Sequence, residues 1–153
     1  MNKLVKENGS VITRSTDALT ILMGSKNSND MNIFLCIFED RIFFDENNVE
    51  RTDGFTRLSV ALAHEIYGNT QMYIKQDLSS PSTTKLPTRK QAEINAFTAG
   101  VNFINKVLLS FKSGLLSNYP NKDKLVGDFN NALKREKIGL AQWQKASDDP
   151  NEY

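Results

Sequence analysis

The chain contains one histidine, His64, and Glu65 follows it directly in the run HEIYGN. On a helix, an imidazole can bind a metal ion while the next residue points its carboxylate toward a water molecule on that metal. The metal lowers the pKa of the water to about 7, and the carboxylate accepts its proton as the water attacks a carbonyl carbon. The pair therefore indicates metal-dependent hydrolysis, with His64 as ligand and Glu65 as general base.

The spacing after His64 decides where a second ligand would stand. The usual zinc-binding helix has its second histidine four residues after the first, and that position is Gly68. A longer spacing reaches Asn69, but five residues on a regular α-helix turn about 500°, so the two side chains would diverge by roughly 140°. A one-residue π-bulge would realign them, and Gly68 is well placed to permit it. The amide oxygen of Asn69 is a weak, neutral ligand for zinc.

Residues 64–69 resemble the His-Glu-x-x-Gly-His helix of the dipeptidyl peptidase III family. Residues 62–68 are also similar to the His-Glu-Leu-Tyr-Gly-His helix of small zincin-like peptidase domains at the C-terminal ends of bacterial Rhs and other polymorphic toxins. The resemblance covers this one helix and has Asn69 in place of the last histidine. It implies a zinc cofactor, a peptide or protein substrate, and a third ligand from a second helix, for which Glu93 is the matching residue. It also implies delivery to another cell within a larger secreted protein, and a cognate inhibitor or immunity protein as partner.

Glu93 is four residues before Phe97, in line with the apolar stripe of a predicted helix, so its carboxylate is expected to face the interior. A buried carboxylate needs a metal ion or a cation as partner. The alternative is that Glu93 pairs with Arg57 or Arg89. Tyr67 and Tyr73 are candidates for hydrogen bonding to an oxyanion, although no spacing selects either.

Two less specific interpretations remain open. His64 could be a structural histidine, and Asn69 could mark a non-catalytic, degenerate zincin-like module that binds another protein. The sequence does not tell whether Asn69 is natural or engineered. A thiol dyad of Cys36 with His64 is disfavoured, because Cys36 lies in an apolar run that would bury it without activating it.

The elements that must position these residues divide the chain into two halves. Short strands are predicted at 10–14, 18–23, 32–38 and 41–45, with polar turns at 24–30 and 45–48. Helices are predicted at about 55–75, 88–116 and 122–137, followed by a short helix at 138–145. Each of the first two helices is expected to bury one apolar face. In the first helix this face consists of Phe55, Leu58, Leu62, Ile66 and Tyr73, and in the second it consists of Phe97, Val101, Ile104, Leu108, Phe111 and Leu115. The fold prediction is therefore α+β, a small, mainly antiparallel sheet of three to five strands packed on the His64 helix and a long second helix.

Composition limits the classes of function. The chain has 153 residues and a formal net charge of +1, which predicts one domain over residues 1–147, a flexible tail at 148–153, and no nucleic-acid or membrane partner. No apolar stretch resembles a signal peptide, so the chain as written is expected in the cytoplasm.

Overall fold

The computed structural model describes residues 17–23, 32–71 and 88–147, and the chain is mostly helical over these ranges. Its elements, in chain order, are strands β1 and β2, a one-turn helix α1, helix α2 with a π-helix continuing from it, and two long helices α3 and α4. Their bounds are Ala18–Met23 (β1), Asn32–Ile37 (β2), Glu39–Ile42 (α1), Gly54–Leu62 (α2), Ala63–Thr70 (π-helix), Arg89–Lys112 (α3) and Lys122–Lys145 (α4).

Strands β1 and β2 form an antiparallel pair, with Ala18 opposite Ile37 and Met23 opposite Asn32. Both strands are rich in the β-branched and aliphatic residues that suit a pleated backbone. The strands predicted at 18–23 and 32–38 are therefore confirmed, and the sheet has these two strands among the described residues. The strand predicted at 10–14 and the turn predicted at 24–30 lie outside the described residues.

The strand predicted at 41–45 is wrong, because residues 39–42 form α1 instead. Glu39 and Asp40 occupy the first turn of α1, where acidic side chains stabilise the positive end of a helix. The polar turn predicted at 45–48 is confirmed: the carboxylate of Asp45 accepts hydrogen bonds from the backbone N–H groups of Asn47 and Val49, both at 2.9 Å. Such an Asx turn reverses the chain between Phe44 and Glu50, which form an isolated β-bridge.

The predicted helices agree with the structure in position, although α3 ends at Lys112 and not near residue 116. Thr88 and Gln91 form a capping box at the start of α3. Residues 122–145 form the single helix α4, so the predicted break after Lys137 is wrong. Gly139 stands two residues beyond that point, but it is buried against Phe97 of α3, so tertiary packing keeps the helix continuous.

The hydrophobic core lies between α2, α3 and α4, and its buried members are Val60, Ile104, Phe111, Phe129 and Ala132. The predicted stripe of α3 is buried in part, since Leu115 lies beyond the helix and is exposed. The stripe predicted for the first helix is wrong in part: Leu58 and Leu62 are half-buried, but Phe55 and Ile66 are exposed. Thr56, Val60 and Ala63 are buried instead, and Tyr73 lies outside the described residues. Cys36, expected to be buried, is half-buried. Among the described helices, none is both long and apolar enough to cross a membrane.

Candidate functional site

The His-Glu motif lies on the π-helix, which covers residues 63–70 and includes His64, Glu65, Gly68 and Asn69. Its backbone follows the i to i+5 pattern that the five-residue spacing of the motif requires, so the predicted widening of the helix is confirmed. The widening replaces the regular helix on which the side chains at 64 and 69 would diverge. The contact made by the Asn69 side chain is with Glu65, four residues before it.

Gly68 has a steric role at this point. A Cβ atom on residue 68 would overlap the backbone and Cβ of Ala96, so the absence of a side chain lets the π-helix pack directly against α3. Asn95, the neighbour of Ala96, donates a hydrogen bond from Nδ2 to the backbone oxygen of Gly68, at 2.7 Å. The backbone N–H of Gln71 also points to this oxygen, at the end of the π-helix. Helix α3 thus fixes the widened segment by close contact and by a hydrogen bond.

Glu65 is buried and its Oε2 accepts two hydrogen bonds, from Thr20 Oγ1 at 2.6 Å and from Asn69 Nδ2 at 2.9 Å. Because a buried carboxylate is costly without donors, these two contacts account for its place in the interior. The amide nitrogen of Asn69 is thereby assigned, since only it can donate to the carboxylate. The Asn69 Oδ1 atom is buried, and no described residue donates a hydrogen bond to it.

His64 lies between two carboxylates that come from different helices. Its Nδ1 donates to Glu136 Oε2 of α4 at 3.3 Å, while Nε2 is 3.8 Å from Glu93 Oε2 of α3. The ring of Phe97 contacts the imidazole edge to face, with 4.6 Å between ring centroids. The predicted approach of Glu93 to His64 is therefore observed, and the orientation of the ring leaves Nε2 facing Glu93.

The environment of His64 favours the imidazolium form. Burial by itself lowers the pKa of the imidazole, but hydrogen bonding to Glu136 and Glu93, together with the negative charges of Glu136 and Glu65, outweighs it and raises the pKa from 6.5 to about 9. The site therefore favours a partly buried imidazolium between the carboxylates of Glu136 and Glu93. A metal ion that bound at Nε2 would have to displace the proton held there.

The alternative partners of Glu93 are engaged elsewhere. Arg57 forms an ion pair with Asp17, and the guanidinium of Arg89 lies over the ring of Trp143. Of the two oxyanion candidates, Tyr67 is well exposed on the π-helix and Tyr73 lies outside the described residues.

Four features of the site were not predicted from the sequence: Glu136, Thr20, Asn95 and the contact of Phe97 with the imidazole. A signal for Glu136 was present: it is seven residues after Phe129 and four after Ala132, both of which are buried on α4. The same stripe argument that selected Glu93 would have selected Glu136. The contact of Thr20 with Glu65 spans 45 residues, and no local spacing predicts it.

A zinc centre like that of the peptidases whose motif this helix resembles needs three protein ligands, and the residues present fit it only in part. His64 Nε2 and Glu93 Oε2 are close enough to become ligands of one ion, and the unpartnered Asn69 Oδ1 is a third, weak donor. However, the amide of Asn69 is turned with its nitrogen toward Glu65, and its neutral oxygen is a weak ligand for zinc. Within the part of the chain that the structure describes, no three side chains of His, Cys, Asp or Glu converge as metal ligands do.

Comparison with known proteins gives no match for this chain among protein-family models, curated proteins or solved structures. What the chain does is therefore inferred from the geometry of the site.

Proposed function

We propose that the chain is a zincin-like peptidase domain whose metal site lacks its second imidazole. The observation that supports this most is the π-helix over residues 63–70, because π-helical turns are rare, frequently occur at functional sites and are required by the five-residue spacing. The short distance between Glu93 and the Nε2 of His64 is a second, independent feature that agrees with the zincin-like ligand set.

In this proposal each polar residue of the site has one role. His64 and Glu93 are the metal ligands, and Asn69 stands in the place of the second histidine. When bound, zinc would supply a Lewis acid that polarises the scissile carbonyl and acidifies a water molecule. Glu65 is the general base, and the hydrogen bonds from Thr20 and Asn69 fix the orientation of its carboxylate.

The substrate is a peptide or protein segment that lies along β2. Three side chains of this strand, Phe34, Leu35 and Ile37, are each more than a third exposed and would contact an extended chain. Tyr67, exposed on the π-helix, is the described candidate for hydrogen bonding to the oxyanion. If the domain acts as a toxin, the same surface is where an inhibitor protein would bind.

The amide of Asn69 makes hydrolysis by this chain weak or absent. An amide oxygen binds zinc far less strongly than an imidazole does, and here the imidazolium of His64 also competes with the ion. The contact of Asn69 with Glu65 favours a second candidate function, a non-catalytic module, since it closes the polar network without a metal ion.

The experiment that tests the proposal is Asn69→His. We expect this variant to bind one equivalent of zinc, measured by elemental analysis and titration, and to cleave peptides or become toxic to the expressing cell. His64→Ala in the same background should abolish both properties.

A matched control places the new histidine elsewhere. Asn102→His adds an imidazole at an exposed position of α3 and should leave zinc binding unchanged. If the folded Asn69→His variant binds no more zinc than this control, the peptidase proposal is wrong and the non-catalytic module is favoured.

A further inference from the structure

Helices α3 and α4 contain two segments with related spacing, FTAG at 97–100 and EKIG at 136–139. In each segment a large side chain, Phe97 or Glu136, stands three residues before a glycine. Residues three apart lie on the same face of a helix, so each segment presents a large side chain and a notch side by side.

The two segments interlock. A Cβ atom on Gly100 would overlap the carboxylate of Glu136, and a Cβ atom on Gly139 would overlap the ring of Phe97. Each glycine therefore makes room for the large side chain of the opposite helix. This reciprocity explains why both glycines are buried in helices that would otherwise be more stable with alanine.

Both interlocked side chains contact the imidazole of His64. Glu136 accepts the Nδ1–H of His64, and Phe97 meets the ring edge to face. With Nδ1 bound on the α4 side and the ring plane fixed by Phe97, Nε2 is directed to Glu93 on α3. An imidazole whose second nitrogen donates to a carboxylate is a better-oriented and more basic ligand than a free one.

We propose that the Phe97–Gly100 and Glu136–Gly139 segments form a clamp that orients His64, with Glu136 as a positioning residue. Glu136 acts through the imidazole and touches no reacting atom. The importance of the Nε2 direction rests on the proposed function, whereas the clamp itself is a property of the metal-free protein.

The first arm of the test uses the metal-free protein. Because the chain has one histidine, a long-range proton–nitrogen correlation spectrum gives one pair of imidazole nitrogens without ambiguity. We expect the Nδ1–H signal to be downfield and protected from exchange in the wild type. It should move upfield or disappear in Gly100→Ala, where the new methyl group displaces the flexible end of Glu136, and in Glu136→Gln.

Gly127→Ala is the matched control, since Gly127 lies on α4 and a Cβ there meets no atom within 4 Å. Its imidazole signals should match those of the wild type. If Gly100→Ala does not fold, Glu136→Gln decides this arm. Wild-type imidazole signals in folded Glu136→Gln would overturn the clamp.

The second arm measures zinc affinity in the Asn69→His background. Adding Glu136→Gln or Gly100→Ala should weaken zinc binding by about 10- to 100-fold, while adding Gly127→Ala should not. Unchanged affinity in both double variants would overturn the positioning role. If Asn69→His itself binds no zinc, the proposed function fails, and the spectra of the metal-free protein still decide the clamp.

Discussion

Gly68 illustrates how a single residue decides the geometry of the site. The absence of a side chain is what matters at Gly68, because the backbone of α3 occupies the volume where a Cβ atom would lie. The chain is not in the left-handed region at this residue, so conformational freedom does not explain the glycine.

We expect Gly68→Ala to destabilise the protein by about 1–3 kcal/mol, as overpacking of a tight contact does. In a regular exposed helix the same change would stabilise by up to about 1 kcal/mol. Urea denaturation measures the difference. Gly127→Ala, on an open face of α4, is the control and should show the stabilising sign. A stabilised Gly68→Ala would contradict the packing seen here.

His64 should make stability depend on pH. Its pKa is about 9 in the folded protein and 6.5 when unfolded, so the stabilising contribution is fully present below pH 6.5 and is lost as the pH rises through 9. We expect a loss on the order of 2 kcal/mol between pH 6.5 and 9.5, measured by urea denaturation at each pH. In His64→Gln this fall should be absent, and an equal fall in that variant would assign it to other groups.

How far the sequence predicts the site depends on the range of each contact. His64, Glu65, Gly68 and Asn69 were found because they are neighbours in one helix, and Glu93 because it continues an apolar stripe. Thr20 could not be found in this way, since only the folded chain brings β1 to the π-helix. The orientation of the Asn69 side-chain amide could not be predicted either, because it depends on its hydrogen bond to the Glu65 carboxylate.

At the scale of elements, the π-helix is held by its neighbour and not by its own sequence. Five-residue hydrogen bonding has poorer geometry than α-helical bonding and persists where tertiary contacts favour it. Asn95 provides such a contact by donating to the Gly68 oxygen from α3.

We expect Asn95→Ala to cost about 1 kcal/mol in unfolding free energy and to speed hydrogen exchange at the amides of residues 68–71 selectively. Loss of the donor leaves the Gly68 oxygen with the backbone contact alone. Asn102→Ala, at an exposed position of the same helix, gains the same helix propensity without losing this hydrogen bond, so it should neither destabilise the protein nor speed this exchange. If hydrogen exchange at residues 68–71 in Asn95→Ala is no faster, relative to the rest of the chain, than in the wild type, the π-helix does not need this hydrogen bond.

Two element predictions failed for identifiable reasons. Residues 41–45 have the composition of a strand, but the acidic pair before them favours the start of α1. The stripe on the first helix was wrong because a 3.6-residue period was applied through a segment with a wider turn, and because Thr56 rather than a larger apolar residue packs inward.

At the scale of the molecule, the clearest part of the prediction was the division into strands followed by helices. Helix α3 was located from its apolar stripe, and together with α2 and α4 it forms the core. The predicted three to five strands exceed the two that the described residues contain, since strand-like composition does not show which segments pair.

The α3–α4 core should dominate stability. Ile104 is fully buried, and we expect Ile104→Ala to cost about 2–5 kcal/mol, measured by urea denaturation. Leu109→Ala on the same helix removes an exposed side chain and should change stability by less than about 0.5 kcal/mol. Similar losses for both variants would mean that a partner covers the exposed face of α3.

The π-helix also has a consequence in terms of insertion and deletion. A widened turn accommodates one residue more than a regular turn, so the segment behaves as an α-helix with a single residue inserted. Deleting Tyr67, the exposed residue of the segment, would leave Asn69 four positions after His64, which is the shorter zinc-helix spacing. The four-residue and five-residue motifs are thus one deletion apart, provided that the helix narrows when the residue is removed.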